Sequence, residues 1–267
     1  MVSTALFFLP DFMPDKPEKE WFAEWFNHPL YLKVYSHRDE AEAKTCLETI
    51  LQKTNLESLT PSDVRVMDIA CGAGRHALEF ARRGFITTAN DLSSFLLECT
   101  RTQAEQEKLS IECTRQDMRQ ITAENAYDLV VQLFSSFGYF KTKKEDLKVL
   151  KNVWKTLKQD GWYILDMINP VYLKKNLTPS SSRTIDDLKV FEKRRIAEGR
   201  IVKQITISSP DDSITFEESV RLYGIETISG MLVSTGFEIR EIFGDYEGSA
   251  YNPETSPRMM IFARKKD

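Results

Sequence analysis

Between residues 64 and 168 the spacing of apolar residues switches repeatedly between two periods. Short runs rich in Val, Ile, Leu and Met at 64–70, 85–90, 110–114, 127–133 and 161–168 suit strands buried in a sheet. Between most of them, at 74–83, 93–108 and 143–158, apolar residues recur three and four apart, the spacing of one helix face. Parallel neighbours cannot be joined by a tight turn, so strands alternating with helices predict a mostly parallel sheet covered by helices on both faces. Upstream, 1–16 reads as irregular, and 19–27 and 38–52 as helices rich in Glu, Ala and Leu. Downstream, LTPSSSR at 177–183 reads as a polar, turn-prone loop. The runs 187–195, 200–208 and 214–222 then alternate apolar with polar residues, as in IVKQITI at 201–207, which suits antiparallel strands with one solvated face. A helix at 225–235 stops at Gly236, and strands at 237–243 and 258–264 close the chain.

This order divides the chain into a helical cap at 1–60, a central α/β unit at 61–169 and 223–267, and an inserted antiparallel β lid at 170–222. At roughly fifty residues the insertion is too short to bury a core alone, so a lid is expected rather than an independent domain. There is no internal repeat and no low-complexity segment.

Composition narrows the class without choosing a chemistry. With 267 residues, 42% hydrophobic and 28% charged, the chain is an ordinary globular one, not disordered, collagenous or coiled-coil. A formal charge of −4 gives no overall attraction to nucleic acid. Cys46, Cys71, Cys99 and Cys113 form no CxxC pair, and His28, His37 and His76 have no zinc-like spacing, so no metal is expected and the thiols fit a reducing cytoplasm. ALFFL at 5–9 is too short for a signal segment, and no apolar run is long enough to span a membrane.

The chemistry concentrates at 66–75, VMDIACGAGR, where a buried strand passes through Asp68 into a turn with Gly72 and Gly74 and then into a helix. Glycine lets the backbone turn sharply and approach a ligand closely. The next strand ends at Asp91, where a carboxylate can accept from two ribose hydroxyls. GAGRHA at 72–77 formally satisfies the dinucleotide fingerprint G-x-G-x-x-A, so an NAD-dependent dehydrogenase is a competing reading. Three features oppose it: Asp68 would repel a pyrophosphate but attract an amine, no clear second mononucleotide half follows, and the chain ends in two strands suited to an antiparallel hairpin.

With DLS at 91–93, QDM at 116–118, YDLVVQLFSSFGY at 127–139 and LKQDGWYILD at 157–166, the chain resembles a class I S-adenosylmethionine (SAM)-dependent methyltransferase. The resemblance implies a Rossmann-like seven-stranded sheet with one antiparallel strand near its C-terminal end, with SAM at the carboxyl ends of the strands. It places Asp68, Gly72 and Gly74 at the methionine part, Arg75 towards the SAM carboxylate, Asp91 at the ribose, and Leu92 among the cofactor-binding residues. Asp117 would meet the adenine amino group and Met118 the ring face, with Gln132, Leu133 and Phe134 flooring the cavity. Tyr31 and Tyr35 resemble tyrosines that cap SAM. Ala70 departs from the family, which usually has a glycine there, and is expected to tighten the turn without blocking it.

Plainer roles remain open for several of these. Asp117 is also a natural cap for the turn after its strand, Met118 and Phe134 are ordinary core residues by type, and Tyr31 and Tyr35, four apart, suit one packed helix face. His76 is expected on a helix surface and Cys71 as a small buried filler. The lysines from Lys141 to Lys158, mixed with Glu145 and Asp146, read as a solvated helix face.

On the acceptor side the resemblance points to Ser135, Ser136, Tyr139, Asp166 and Asn169, with Tyr139 as the catalytic candidate. The loop GDYEGSAYNPETSPR at 244–258 could bring Tyr246, Tyr251 and Arg258 to the acceptor, although Arg258 pairing with a loop acid is an equal alternative. LFSS at 133–136 stands where methyltransferases of DNA or protein glutamine carry Asn/Asp-Pro-Pro-Tyr/Phe, and FSSFGY at 134–139 with the insertion resembles a small-molecule branch. The expectation is therefore methyl transfer from SAM to nitrogen or oxygen of a small molecule, with S-adenosylhomocysteine as product. A SAM sensor or sequestering protein without transfer is the alternative. No nucleic-acid or membrane partner is expected, and either a monomer or a homodimer is compatible.

Overall fold

A computed structural model describes residues 20–36 and 40–266. The irregular 1–16 segment, the ALFFL stretch, His37, Lys19 and Arg38, the last two being expected helix starts, lie outside the described residues.

The central sheet has seven strands, β1 (Arg65–Ile69), β2 (Ile86–Asn90), β3 (Ile111–Thr114), β4 (Tyr127–Gln132), β5 (Leu157–Ile168), β10 (Phe237–Phe243) and β11 (Arg258–Lys265). Their order across the sheet is β10-β11-β5-β4-β1-β2-β3, and β11 runs antiparallel to both β10 and β5. Because side chains alternate across a strand, Met67, Ile69 and Val130 face one side and Val66, Leu129 and Val131 the other. The first side is covered by α6 (Lys143–Thr156) and α8 (Ile225–Thr235), through Val149, Leu150, Val153, Ile228 and Leu232. The second is covered by α3 (Glu40–Thr54) and α4 (Arg75–Arg82), through Leu47, Ile50 and Phe80. The helix α5 (Ser94–Glu107) starts where the Ser93 side chain accepts from the Leu96 amide, and α6 starts in a Thr142/Glu145 capping box.

The insertion forms a separate antiparallel sheet of four strands, β6 (Ser180–Ile185), β7 (Leu188–Ala197), β8 (Arg200–Ser208) and β9 (Ser213–Arg221). The polar stretch at 177–183 was expected as a loop. Instead its end enters β6, where pairing with β7 outweighs the turn tendency of three serines. Before it lies α7 (Pro170–Asn176), a helix that the Asn169 cap and the proline at its first position start.

The first expected helix is shorter, α1 (Trp21–Trp25), and is followed by the unexpected α2 (Leu30–Val34). α1 bridges the two sheets, with Phe22 in the core beneath the main sheet. Trp25, Val34 and Tyr35 pack on Val190, Ile205, Ile207 and Phe216 of the inserted sheet. Asp146 corrects another expectation: on the buried side of α6 rather than in solvent, it is fully buried and accepts a 2.6 Å hydrogen bond from the Tyr223 hydroxyl.

Candidate functional site

In the central sheet the chain runs outward from β1 to β3 and then returns to place β4 on the other side of β1. The connections after β1 and β4 therefore diverge and leave a crevice at the carboxyl ends of the strands, the usual ligand position in such sheets. A cavity of about 460 Å³ lies there, lined by Asp68, Gly72, Arg75, Asp91, Leu133 and Phe134 among others. A smaller cleft of about 40 Å³ adjoins it, lined by Asp91, Leu92, Asp117, Met118, Tyr139 and Phe140. Asp91 and Tyr139 border both spaces.

After β1 the backbone is left-handed at Ala70, Gly72 and Gly74, with φ of 56°, 60° and 81°. Ala70 thus adopts the conformation that a glycine would take more easily, and its methyl lines the cavity. A Cβ added at Gly72 would meet no protein atom within 4 Å, whereas one at Gly74 would lie 2.5 Å from Thr100 Cγ2. The two glycines therefore have different surroundings: Gly72 borders open space in the cavity, and Gly74 lets α4 approach α5.

The carboxylate of Asp91 orders this turn, accepting from the Gly72 amide and the Ser93 amide at 2.8 Å each. Asp68, 1% exposed, leaves its Oδ2 without a hydrogen-bond partner. Burial, with the nearby Asp91 charge second, pushes its pKa up to about 8. Such an oxygen fits the ammonium of an amino-acid ligand, which would supply the missing donor and charge. Arg75 pairs with Glu42 at 2.9 Å and lies 4.0 Å over the Phe134 ring.

Beyond β4, Phe134 and Ser135 are also left-handed, with φ of 58° and 60°. Two successive non-glycine residues in this region are strained and need outside support. Asp166 gives it: its side chain accepts from the Phe134 amide at 2.8 Å and its carbonyl accepts from the Ser135 amide at 3.1 Å. The same carboxylate, fully buried, accepts two charge-assisted bonds from Arg258, 2.6 and 2.7 Å, and one from the Tyr246 hydroxyl, 2.8 Å. Arg258 also donates to Ser135 Oγ.

Not every expected site residue reaches the cavity. Gln132 is buried behind it: its amide donates to the Ser136 carbonyl and the Met118 sulfur and accepts from Tyr163. Ser136 lines the cavity, but its hydroxyl donates to the Leu133 carbonyl. Arg258 is on the wall, paired with a strand acid rather than a loop acid. Tyr246 stacks behind Phe134, and Tyr251 packs against the main core, so neither is among the lining residues. Asn169 is a helix cap whose amide holds the Pro253 and Ser256 carbonyls. Asp117 caps the short turn after β3 and is clasped by Arg119, while still facing the small cleft. His76, expected on a surface, is 5% exposed and in the cavity wall with Cys71. The turn of α4 aims it inward, 5.5 Å from the Phe134 ring.

The far wall is built from distant parts of the chain. Trp21, Phe26, Tyr31, Leu32 and Tyr35 come from the amino-terminal helices, and Lys203, Glu218 and Val220 from β8 and β9. Lys203 and Glu218 are cross-strand partners and form a 2.8 Å ion pair. Glu218 also accepts from Trp25 Nε1 and the Tyr35 hydroxyl, and Lys203 donates to Tyr35. The strand alternation carried a signal for this pair, but not for the direction in which the sheet would face. Among the described residues no acid, Cys and His cluster could hold a metal ion, and no helix is long and apolar enough to cross a membrane.

Comparison with known proteins agrees with this geometry. Residues 66–161 match the methyltransferase domain family. A methyltransferase homologue from Geobacillus sp. (strain WCH70) is 25% identical over 210 residues, covering 75% of this chain and 84% of its own. The dTDP-3-amino-3,4,6-trideoxy-α-D-glucopyranose N,N-dimethyltransferase of Streptomyces venezuelae is 32% identical over 90 residues, 34% of this chain and 36% of its own. Among solved structures, a SAM-dependent methyltransferase from Clostridium acetobutylicum ATCC 824 superposes with a TM-score of 0.77 at 18% identity, covering 91% of this chain and 98% of that one. A sugar N-methyltransferase from Streptoalloteichus sp. ATCC 53650 gives 0.67 at 13% identity, covering 100% and 99%.

Proposed function

Because this chain is a class I SAM-dependent methyltransferase, we propose that it methylates a small molecule, at nitrogen or oxygen, inside the cavity beneath the β lid. The observation that supports a small acceptor is the far wall: the chain's own helices and inserted sheet roof the space opposite the glycine turn. A duplex or a folded protein would have to displace that roof. The two sugar N-methyltransferases among the relatives point the same way.

The cofactor brings a methyl group on a sulfonium, whose departure as a neutral thioether needs no acid. The chain's residues bind and align. Asp68 holds the ammonium of the methionine part, Arg75 its carboxylate, Asp91 and Leu92 the ribose, and Asp117 and Met118 the adenine in the smaller cleft. Leu133 and Phe134 form the floor, and Gln132 acts from behind by fixing the Ser136 carbonyl. Tyr139 stands at the junction of the two spaces, and Tyr31 and Tyr35 belong to the roof. Positioning of this kind supplies up to about 7–11 kcal/mol of a transfer barrier. The four cysteines, free in the structure, fit work in the cytoplasm.

The test is to supply SAM with dTDP-3-amino-3,4,6-trideoxy-α-D-glucopyranose and a panel of small amines and phenols, following S-adenosylhomocysteine release and methylated product by mass. Turnover of one panel member supports the reading. Tight S-adenosylhomocysteine binding with no turnover across the panel favours the sequestering protein instead.

A further inference from the structure

Four consecutive carbonyls, those of Gly138, Tyr139, Phe140 and Lys141, accept hydrogen bonds from two arginines of the inserted sheet. Arg200 Nη1 donates to Phe140 at 3.0 Å, and Nη2 to Gly138 at 3.1 Å and to Tyr139 at 2.9 Å. Arg221 donates its backbone amide to Gly138 at 2.8 Å and Nη2 to Lys141 at 2.6 Å. Arg200 and Arg221 are direct cross-strand partners on β8 and β9. Two like charges side by side would repel. Behind them lies the buried Asp146 carboxylate, 3.6 Å from Arg221 Nε and bound to Tyr223. Gly138 is left-handed, φ 93°, and a Cβ there would lie 2.8 Å from the Arg221 carbonyl. Loop and strand are therefore in backbone contact, and no side chain fits between them.

The loop so gripped carries Tyr139 and Phe140, which line the small cleft with Asp117 and Met118. Neither arginine is among the residues lining either space. We propose that Arg200, assisted by Arg221, is a positioning residue for the cofactor: through three carbonyls it sets Tyr139 and Phe140 against the adenine end, so that the β lid is a fixed wall of the cofactor site. This rests on the reading that the two spaces hold SAM. Arginine suits the task because its planar fork meets several oxygens at once, which a lysine ammonium cannot do in the same plane. Farther along the same strands, Lys203 and Glu218 face the main cavity, so the clamp also ties the far wall to the adenine end.

The experiment is calorimetric titration of wild type, Arg200→Ala, Arg200→Lys and the control Arg264→Ala, on β11 away from both spaces, with two probes, S-adenosylhomocysteine and 5′-methylthioadenosine. The second has the adenosine part without the amino acid. Arg200→Ala is expected to weaken both probes by a similar factor, about tenfold, the scale of a lost charge-assisted hydrogen bond. Arg200→Lys should fall between it and wild type, and Arg264→Ala should bind both as wild type does. Asp68→Asn gives the contrasting pattern, weakening S-adenosylhomocysteine alone. Should Arg200→Ala not fold, Arg200→Lys is read by the same criterion. Folded Arg200 variants that bind both probes within twofold of wild type overturn the proposal while leaving the methyltransferase reading intact. Failure of wild type to bind S-adenosylhomocysteine overturns both.

Discussion

Asp68 keeps one carboxylate oxygen unpartnered in a buried site beside Asp91. With its pKa near 8, the group is protonated at neutral pH, and a bound ammonium favours the ionised form. Binding below that pKa must release a proton, so affinity for S-adenosylhomocysteine should rise with pH between about 6 and 8 and then level. Calorimetry across that range checks it, and Asp68→Asn should lose both the slope and affinity. The stability of the ligand-free protein runs the other way. The native state holds this proton more tightly than the unfolded chain, whose value is near 3.8, so the melting temperature should fall as pH rises from 4 to 8. The two glycines separate in the same manner. Gly72→Ala should weaken the ligand with a destabilisation of about 1–2 kcal/mol from a left-handed alanine, because its Cβ stands in open space. Gly74→Ala meets Thr100 and should lower the melting temperature more. Both residues were legible as a turn in the sequence, but which of them lines the cavity depended on α5 lying behind one of them.

At the scale of elements, β5 and β11 are locked by Asp166 and Arg258, 92 residues apart in the chain and adjacent in the sheet. The pair also supports the strained Phe134–Ser135 turn. Asp166→Ala leaves the partly buried Arg258 guanidinium without its counter-charge and should cost about 3 kcal/mol in urea unfolding, the lower end for breaking a buried pair. The loss should also weaken S-adenosylhomocysteine, because the floor of the cavity loses its anchor. Strand and helix order from 64 to 168 was readable because each period is a local property. β6 was not, since three serines state a turn preference and only the neighbouring β7 supplies the pairing that overrides it. Likewise, the alternation that placed Asp146 among solvated lysines said nothing of Tyr223, which approaches from beyond the inserted sheet.

For the whole molecule, ligand binding and folding are linked. At S-adenosylhomocysteine concentrations about 100 times the dissociation constant, stability should increase by about 2.7 kcal/mol. NAD at the same concentration should leave the melting curve unchanged, and a shift with NAD would restore the dehydrogenase reading. By itself the sequence determined the alternating α/β order, the glycine turn and the acids at the ends of the first strands, because periodicity, left-handed turns and strand ends are written within a few residues. Tertiary structure alone decided which acids line the cavity and which face arginine, that His76 lies in the cavity wall, and that Lys203 and Glu218 close it. The last of these depends on how the inserted sheet docks, through contacts such as Arg200 to Tyr139, 61 residues away, or Trp25 to Glu218, 193 away. No local pattern encodes such distances; packing of the two sheets and the amino-terminal helices fixes them together.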